Sequence, residues 1–162
     1  MIKNLGTNNL RILKAEKEDL EKILQLQKEC FKAEGQLYAD FNIVPLTETL
    51  EEIEKEYENG VLYLKGVIDG MIVASVRGYT ENDTAYIGKL IVDGCFQNRK
   101  FGQLMMAEIE HQLKACSRYE LFTGFKSEKN IHLYKKLGYQ EFKTETVSDN
   151  VKLIFLEKNR VE

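Results

Sequence analysis

The spacing of apolar positions changes along the chain, and each spacing predicts a different element. Around Leu10 apolar and polar residues alternate, which predicts a short strand. Residues 17–31 instead follow a helical period with one amphipathic face. That face carries these residues: Leu20, Ile23, Leu24, Gln27 and Phe31. Gly35 and Pro45 interrupt the period, so residues 33–46 are predicted to form a loop or a short irregular helix.

The middle of the chain carries signals of a helix followed by antiparallel strands. Thr49 and Glu52 have the spacing of a capping box, and Asn59–Gly60 ends the helix that they begin. Asp69–Gly70 favours a tight hairpin turn, because both central residues of such a turn need positive φ. Three β-rich runs are joined by short turns of this kind: 61–68, 71–79 and 84–92.

The carboxyl-terminal half alternates helices with strands. Helices are predicted over 101–115 and 130–137. Strands are predicted over these segments: 121–124, 139–147 and 151–157. The crossover from the strand that ends at Val92 to the strand that begins near Leu121 passes through a helix, so these two strands should run parallel.

These elements predict one domain over residues 1–162, of α/β or α+β class. The sheet is expected to be mixed and mostly antiparallel, with about seven strands flanked by about four helices. An all-parallel, flavodoxin-like protein is a rival interpretation. It would carry its phosphate loop near the amino terminus, and the central Asp69–Gly70 hairpin argues against it.

Composition and charge narrow the classes of function. The chain has 23 Lys and Arg against 26 Asp and Glu, a net charge of −3, so no basic face for nucleic acid is expected. Three widely spaced cysteines (Cys30, Cys95 and Cys116) and two histidines (His111 and His132) predict neither a metal site nor a disulfide framework. Free thiols suit a reducing cytoplasm, the expected location. No secretory signal and no membrane span are predicted, and the sequence is compatible with a homodimer.

Residues 86–106 place an apolar strand, a polar loop and a helix in direct succession. The first N–H groups of a helix lack backbone partners and lie at the positive end of its dipole, so this helix start could bind a pyrophosphate. Arg99 and Lys100 add positive charge there. An ordinary strand–loop–helix unit with solvated basic residues explains the pattern equally well, since Gly102 alone is a weak phosphate-loop signal.

Two motifs in this part of the chain resemble those of the GNAT acyltransferases. The central motif of that family reads Gln/Arg-x-x-Gly-x-Gly/Ala, and Gln97 and Gly102 match it, within a run that begins at Leu90 and Val92 and continues to Leu104. Lys100 stands where the family prefers its first glycine. The second signature reads Asn-x-x-x-Tyr-x-x-x-Gly-Phe/Tyr and is matched by Asn130, Tyr134, Gly138 and Tyr139. The two motifs in this order are specific, and the resemblance covers nearly the whole chain.

The resemblance implies a site for acetyl-CoA in a splay between the two parallel strands. The pantetheine arm would pair with the backbone of Leu90, Ile91 and Val92, and the pyrophosphate would lie on the amides of Arg99 to Gln103. The implied cofactor-binding residues are Leu90, Ile91, Val92, Gln97, Asn98, Arg99, Lys100, Phe101, Gly102, Gln103 and Asn130. No metal is implied.

The departure at Lys100 has two interpretations. If the backbone there takes positive φ, a lysine costs about 1 kcal/mol, whereas a lysine that is already helical costs little and can pair with a phosphate. We predict the helical case.

Asn130 resembles the asparagine that contacts the pantetheine or tyrosine region in the family, and it also has the position of a helix N-cap.

Tyr134 is the candidate catalytic residue. Direct acyl transfer must protonate the leaving thiolate, and in the family the tyrosine of this motif often donates that proton. Without the resemblance, a packed aromatic is the more ordinary explanation. The attacking amine also needs a base or a water chain, and the candidates are Glu34, Asp40, Tyr86 and Lys89, each of which has an ordinary structural role as its alternative.

The function implied by the resemblance is an N-acetyltransferase. It would move an acetyl group from acetyl-CoA to a primary amine of a small molecule or peptide by direct transfer. The alternative is a non-catalytic acyl-CoA-binding regulatory domain of the same fold.

Cys95 lacks a paired histidine, which argues against an acyl-cysteine enzyme, and both histidines are expected at the surface. Leu37, Tyr38 and Phe41 are candidates for the acceptor pocket.

Overall fold

The computed structural model of the protein describes residues 3–5 and 9–160, with side chains from residue 9 onward. The first residues, in which no secretory signal is predicted, lie partly outside this range. Within it, eight strands form one sheet in the order β1-β2-β3-β4-β5-β6-β8-β7. The strands are β1 (Lys3–Leu5), β2 (Leu10–Lys14), β3 (Leu62–Ile68), β4 (Met71–Glu81), β5 (Thr84–Val92), β6 (Arg118–Gly124), β7 (Gln140–Thr146) and β8 (Lys152–Asn159).

Helices pack on both faces of this sheet, as the sequence predicts. They are α1 (Leu20–Tyr38), α2 (Val44–Thr47), α3 (Leu50–Glu58), α4 (Phe101–Gln112) and α5 (Glu128–Lys136). None of the helices in the described ranges is long and apolar enough to cross a membrane.

Local turn and cap signals lie where the sequence predicts them. Asp69 and Gly70 have φ of 50° and 78°, and they join β3 to β4 in the predicted hairpin. The side chain of Thr49 accepts a hydrogen bond from the backbone of Glu52, whose own side chain accepts one from the backbone of Thr49. This capping box begins α3 because each side chain satisfies an N–H group that the helix leaves unpaired. Gly138, at φ 101°, ends α5.

The first long helix extends further than its apolar period indicates. Residues 33–38 continue α1, so the predicted loop or irregular segment over 33–46 is wrong in its first part. Gly35 looks like a helix breaker but is buried, and a Cβ there would lie 2.8 Å from the ring of Phe41 and 2.9 Å from the side chain of Leu46. The missing side chain lets the segment after α1 fold back closely against it. This packing outweighs the low helix propensity of glycine.

The single parallel pair in the described sheet is β5 with β6. Its register runs from Thr84 opposite Arg118 to Tyr86 opposite Glu120 and ends there, although β5 continues to Val92. Beyond Tyr86 the two strands therefore separate, and within the described residues the edge of β5 that faces β6 has no strand partner. This gap confirms the predicted mixed sheet with a splay between two parallel strands.

A β-bulge lies in β5 beside this gap. Ser75 pairs with Ile91 and Arg77 with Gly88, so β5 carries one more residue than β4 between the two pairs. Lys89 lies in the bulge with a positive φ of 46°. Because a bulge re-aims the side chains around it, Lys89 points toward the α1 side, where its ammonium group contacts Glu48.

Two apolar clusters occupy the two faces of the sheet. Adjacent strand residues point to opposite faces, and accordingly Leu64 belongs to the cluster under α4 and α5, whereas Tyr63 belongs to the one under α1 and α3. In β5, Ile91 packs toward α1, while Leu90 and Val92 pack toward α4. The part of β5 that borders the gap is thus held from both sides.

A buried ionic network lies beneath α1 and holds α1, α2, β4 and β5 together. Arg77 donates to the Glu48 carboxylate at 2.9 Å and to the Gln27 side-chain carbonyl at 2.6 Å. The Lys89 ammonium group is 3.1 Å from the Glu48 carboxylate, and Glu48 itself is only 6% exposed. Arg77 also donates to the Glu56 carboxylate at 2.6 Å.

The charges in this network shift the pKa values of its members. Burial by itself would raise the pKa of Glu48, but the hydrogen bonds and charges of Arg77, Gln27 and Lys89 lower it below its ordinary value. Burial lowers the pKa of Lys89, and the charge of Arg77 lowers it further, against the opposing effect of Glu48. Removing one charged member of the network would therefore leave the buried charge of another member without its partner.

Candidate functional site

The loop between β5 and α4 borders the gap at one end. Asp93 accepts a hydrogen bond from the Cys95 backbone at 2.8 Å and begins a short turn of 3-10 helix, Gly94–Phe96. Lys100 is the N-cap of α4, and no side chain in the described ranges caps the first turn. The first N–H groups of an α-helix have no partner within the helix, so this helix start can offer them to an anion.

Lys100 has a left-handed backbone, with φ 64° and ψ 18°. The prediction that this position is already helical is therefore wrong. The chain has to reverse between the loop and α4, and Asn98 two residues earlier also has a positive φ of 63°. A lysine in this region brings its Cβ close to its own backbone, a strain that a glycine would not have.

The Lys100→Gly variant is expected to raise the free energy of unfolding by about 0.5–1 kcal/mol, because removing the Cβ relieves the left-handed strain. Urea unfolding of purified protein measures this difference. Lys100→Ala is the matched control, since it removes the same charge but keeps the Cβ and should not stabilise. Equal stabilisation by Gly and Ala would attribute the effect to charge and contradict the strain.

Gln97 ties the loop back to the end of β5. Its side-chain amide donates to the Val92 carbonyl at 3.3 Å, and the same carbonyl lies 3.4 Å from the thiol of Cys30, which donates to it. Asn98, Arg99 and Lys100 are exposed. The guanidinium group of Arg99 lies over the Phe96 ring at 5.3 Å.

The first turn of α4 packs closely against β5 and α5. Phe101 is buried and stacks on Phe96 with ring centroids 6.3 Å apart. A Cβ at Gly102 would lie 3.3 Å from the side chain of Leu133 in α5 and 3.6 Å from that of Leu90 in β5. Gly102 therefore brings α4, α5 and β5 together at the predicted phosphate loop. Gln103 follows it in the same turn and is partly exposed.

Helix α5 begins earlier than predicted. Its N-cap is Ser127, and Asn130 lies inside the first turn, so the interpretation of Asn130 as the N-cap is wrong. Ser127 does not cap the helix with its side chain, because its hydroxyl group is bonded to Glu34 instead. Asn130 is partly exposed.

Tyr134 lies on the buried side of α5. It is 6% exposed and packs edge-on against Tyr139, with centroids 6.1 Å apart. No residue in the described ranges hydrogen-bonds its hydroxyl group. Burial raises its pKa above the ordinary value, and the negative charge of Glu34 raises it further. Tyr134 is therefore fully protonated at neutral pH.

A polar cluster spans the gap from α1 to α5, and the sequence did not predict it. The Ser127 hydroxyl donates to the Glu34 carboxylate, with O–O distances of 2.7 and 2.8 Å to its two oxygens. Tyr38 accepts from the Lys126 backbone at 2.8 Å, and its hydroxyl group lies 3.3 Å from that of Ser127. A Cβ at Gly124 would overlap the Tyr38 hydroxyl group.

One signal could have indicated Ser127. It lies directly before α5, and serine is a preferred residue at a helix N-cap. Its contact with Glu34 joins residues 93 positions apart. No local pattern predicts such a contact.

The other candidates for a base have structural roles. The Asp40 carboxylate accepts from the Asn42 backbone at 2.8 Å and stabilises the turn after α1. Tyr86 stacks on Tyr79 with centroids 5.2 Å apart. Lys89 is paired with Glu48, as described above. Cys95, His111 and His132 are exposed, which for the histidines confirms the prediction. Of the predicted acceptor-pocket residues, Leu37 and Phe41 are exposed and Tyr38 is buried.

Comparison with known proteins agrees with this architecture. The sequence model of the acetyltransferase (GNAT) family matches residues 20–139. Over 83 residues the chain is 30% identical to N-alpha-acetyltransferase 30 of Dictyostelium discoideum. That stretch is 50% of this chain and 45% of the relative, so the chain spans about half the length of the curated relative that it matches.

Solved structures have the same fold at low identity. The PaiA N-acetyltransferase of Thermoplasma acidophilum in complex with coenzyme A superposes with a TM-score of 0.76 at 17% identity, over 93% of this chain and 99% of that one. The structure of yncA from Salmonella typhimurium with its cofactor acetyl-CoA gives a TM-score of 0.73 at 14% identity, over 93% of each chain.

Proposed function

Because the chain belongs to the GNAT acetyltransferase family, we propose that it transfers an acetyl group from acetyl-CoA to a primary amine of a small molecule or a peptide. The observation that carries this proposal is the gap between β5 and β6. The uncapped start of α4 follows β5 at this gap, and Tyr134 lies in α5, which packs against that start where Leu133 contacts Gly102. A binding module without activity is less favoured, since it would have no use for a protonated tyrosine there. The three cysteines are free thiols, which fits a cytoplasmic location.

Acetyl-CoA would lie along the unpaired edge of β5. The pantetheine amides would pair with backbone groups of Leu90 and Ile91 and with the Val92 N–H group, since the Val92 carbonyl already accepts from Cys30 and Gln97. The pyrophosphate would lie on the backbone amides from Arg99 to Gln103, where helix dipole and orphan N–H groups favour an anion. Binding there brings the thioester toward Tyr134.

Direct transfer then needs two proton movements. The amine nitrogen attacks the thioester carbonyl carbon, the C–N bond forms, and the C–S bond breaks. The leaving sulfur takes the proton of Tyr134, which is a suitable donor because its raised pKa keeps it protonated. The attacking nitrogen must lose a proton to a base or to water.

Calorimetric titration with acetyl-CoA, and with ATP as a control, tests the proposal first. Micromolar binding of acetyl-CoA but not ATP, followed by acetylation of an amine, would support it. Failure to bind at millimolar ligand would contradict it.

Gln103→Glu is expected to weaken acetyl-CoA binding about tenfold, because the new carboxylate lies beside the proposed pyrophosphate position. The same change should stabilise the protein by about 0.3–1 kcal/mol, since an anion in the first turn of α4 interacts favourably with the helix dipole. Calorimetry at two salt concentrations measures the first effect, which salt should reduce. Gln25→Glu, an exposed site on α1, is the matched control. Equal affinities for both variants would place the pyrophosphate elsewhere.

A further inference from the structure

We propose that Glu34 is the base that accepts the proton of the attacking amine, and that Ser127 is the positioning residue for its carboxylate. This role rests on the proposed acetyl transfer and names the group that the transfer still lacks. It follows from the polar cluster that closes one end of the gap.

The cluster connects the two faces of the sheet at the gap. Glu34 belongs to α1 and Ser127 to the start of α5, and they meet through hydrogen-bond distances of 2.7 and 2.8 Å. Ser127 is 5% exposed, so its hydroxyl group is held in a fixed place. Tyr38, one turn after Glu34 on α1, packs over Gly124, and its hydroxyl group lies beside that of Ser127. The carboxylate is thus anchored at the opening between β5 and β6.

Glu34 also acts on the proposed acid. Burial raises the pKa of Tyr134, and the negative charge of Glu34 raises it further. Ser127, whose hydroxyl group holds the Glu34 carboxylate, is also the N-cap of the helix that carries Tyr134. The proposed proton acceptor and the proposed proton donor are therefore both attached to α5, Glu34 through Ser127 and Tyr134 as a residue of the helix.

The Glu34 carboxylate keeps acceptor capacity for a substrate. An ionised carboxylate offers about four lone-pair sites, and a hydroxyl group donates one proton, so Ser127 occupies one of them. Other acidic groups in this region are engaged by cations or by backbone. Glu48 is paired with Arg77 and Lys89, Glu120 with Arg118 at 2.8 Å, and Asp40 with the turn after α1.

The proton balance is complete with these two groups. A bound ammonium gives one proton to Glu34, and the neutral amine attacks the thioester. As the C–S bond breaks, sulfur takes the Tyr134 proton, and the tyrosine oxygen regains one from the nitrogen of the new amide. Glu34 then returns its proton to water. The products are the acetamide, the free thiol and one released proton.

The test compares Glu34→Gln with the wild type on two amines at several pH values. One probe is a short lysine-free peptide with a free α-amine, and the other is Nα-acetyl-lysine amide. At pH 6.5 the variant should lose about 10²-fold in kcat, a loss typical of removing a base. For the peptide the deficit should shrink by pH 9, because an α-amine with a pKa of about 7.7–8.0 is then neutral without help. For the lysine probe, with a pKa of about 10.4, the deficit should persist.

Controls separate this role from a structural one. Glu29→Gln removes an exposed carboxylate from the same helix and should leave kcat and its pH profile unchanged. Ser127→Ala should show a smaller loss with the same pH dependence, as expected of a positioning residue. Acetyl-CoA affinity, measured by calorimetry, should be equal in all four proteins.

Each other result overturns the role of Glu34. A deficit that is equal at every pH, or that tracks a loss of acetyl-CoA affinity, would make Glu34 a structural or binding residue. Full activity of Glu34→Gln would exclude it from the reaction while leaving the acetyl transfer intact. If the wild type binds acetyl-CoA but acetylates neither probe at any pH, the proposed transfer to such amines is contradicted. The proposed role of Glu34 as its base is then contradicted as well.

Discussion

Replacing Tyr134 by Phe is expected to lower kcat by about 10²- to 10⁴-fold with little change in the affinity for acetyl-CoA. The variant keeps the ring that packs against Tyr139 and loses only the hydroxyl group. That group makes no hydrogen bond to any residue in the described ranges, so its removal leaves no protein group unsatisfied. Without it the leaving thiolate has no positioned proton donor.

Burial and the charge of Glu34 raise the pKa of Tyr134, so the wild-type hydroxyl group stays protonated above the pH range in which an ordinary tyrosine ionises. The value of kcat should therefore not fall through ionisation of Tyr134 between pH 7 and 9.

Steady-state rates of acetyl transfer, with calorimetry for the cofactor, measure this effect. Tyr139→Phe is the matched control, because Tyr139 is the neighbouring buried tyrosine and its hydroxyl group donates to Glu110 at 2.8 Å. It should cost about 1 kcal/mol of stability from the lost hydrogen bond and leave kcat unchanged. Similar kcat values for Tyr134→Phe and the wild type would show that sulfur leaves without this acid.

Replacing Arg77 by Met is expected to lower the free energy of unfolding by about 3–5 kcal/mol, which is the usual effect of removing one partner from a buried ion pair. The variant leaves the Glu48 carboxylate, at 6% exposure, with only Gln27 and Lys89 to compensate its charge. The change also disturbs the ion pair between Glu48 and Lys89, and Lys89 lies in the bulge of β5 beside the gap. A loss of this size is a large fraction of the stability of an ordinary domain, about 5–15 kcal/mol.

Urea unfolding at neutral pH measures the loss, and two further variants interpret it. Lys32→Met breaks an exposed pair with Glu29 and should cost less than about 1 kcal/mol. Adding Glu48→Gln to Arg77→Met removes the uncompensated charge and should recover part of the loss. In the wild type the pKa of Glu48 is lowered, so its stabilising effect is present above its ordinary pKa and is lost as the pH falls through the native value. The difference in the free energy of unfolding between the wild type and Arg77→Met should therefore become smaller as the pH falls.

The sequence determined those features that depend on neighbours in the chain. The Asp69–Gly70 turn, the capping box of Thr49 and Glu52, and the end of α5 at Gly138 each follow from the conformation or hydrogen bonds of a few adjacent residues. The crossover to β6 follows from chain connectivity, because two parallel strands need a helix-length connection. The two motifs around Gly102 and Tyr134 were visible for the same reason, since each is one continuous segment.

Only the tertiary structure decided the features that depend on distant segments. Helix α1 continues through Gly35 because Phe41 and Leu46 need the space that a side chain would fill. Lys100 has a left-handed backbone because the loop must reverse between β5 and an α4 already fixed by its packing. The contact of Glu34 with Ser127 and that of Glu48 with Arg77 join residues 93 and 29 positions apart. Such contacts carry no local pattern, because their energy comes from burial and charge that arise only when the sheet is assembled.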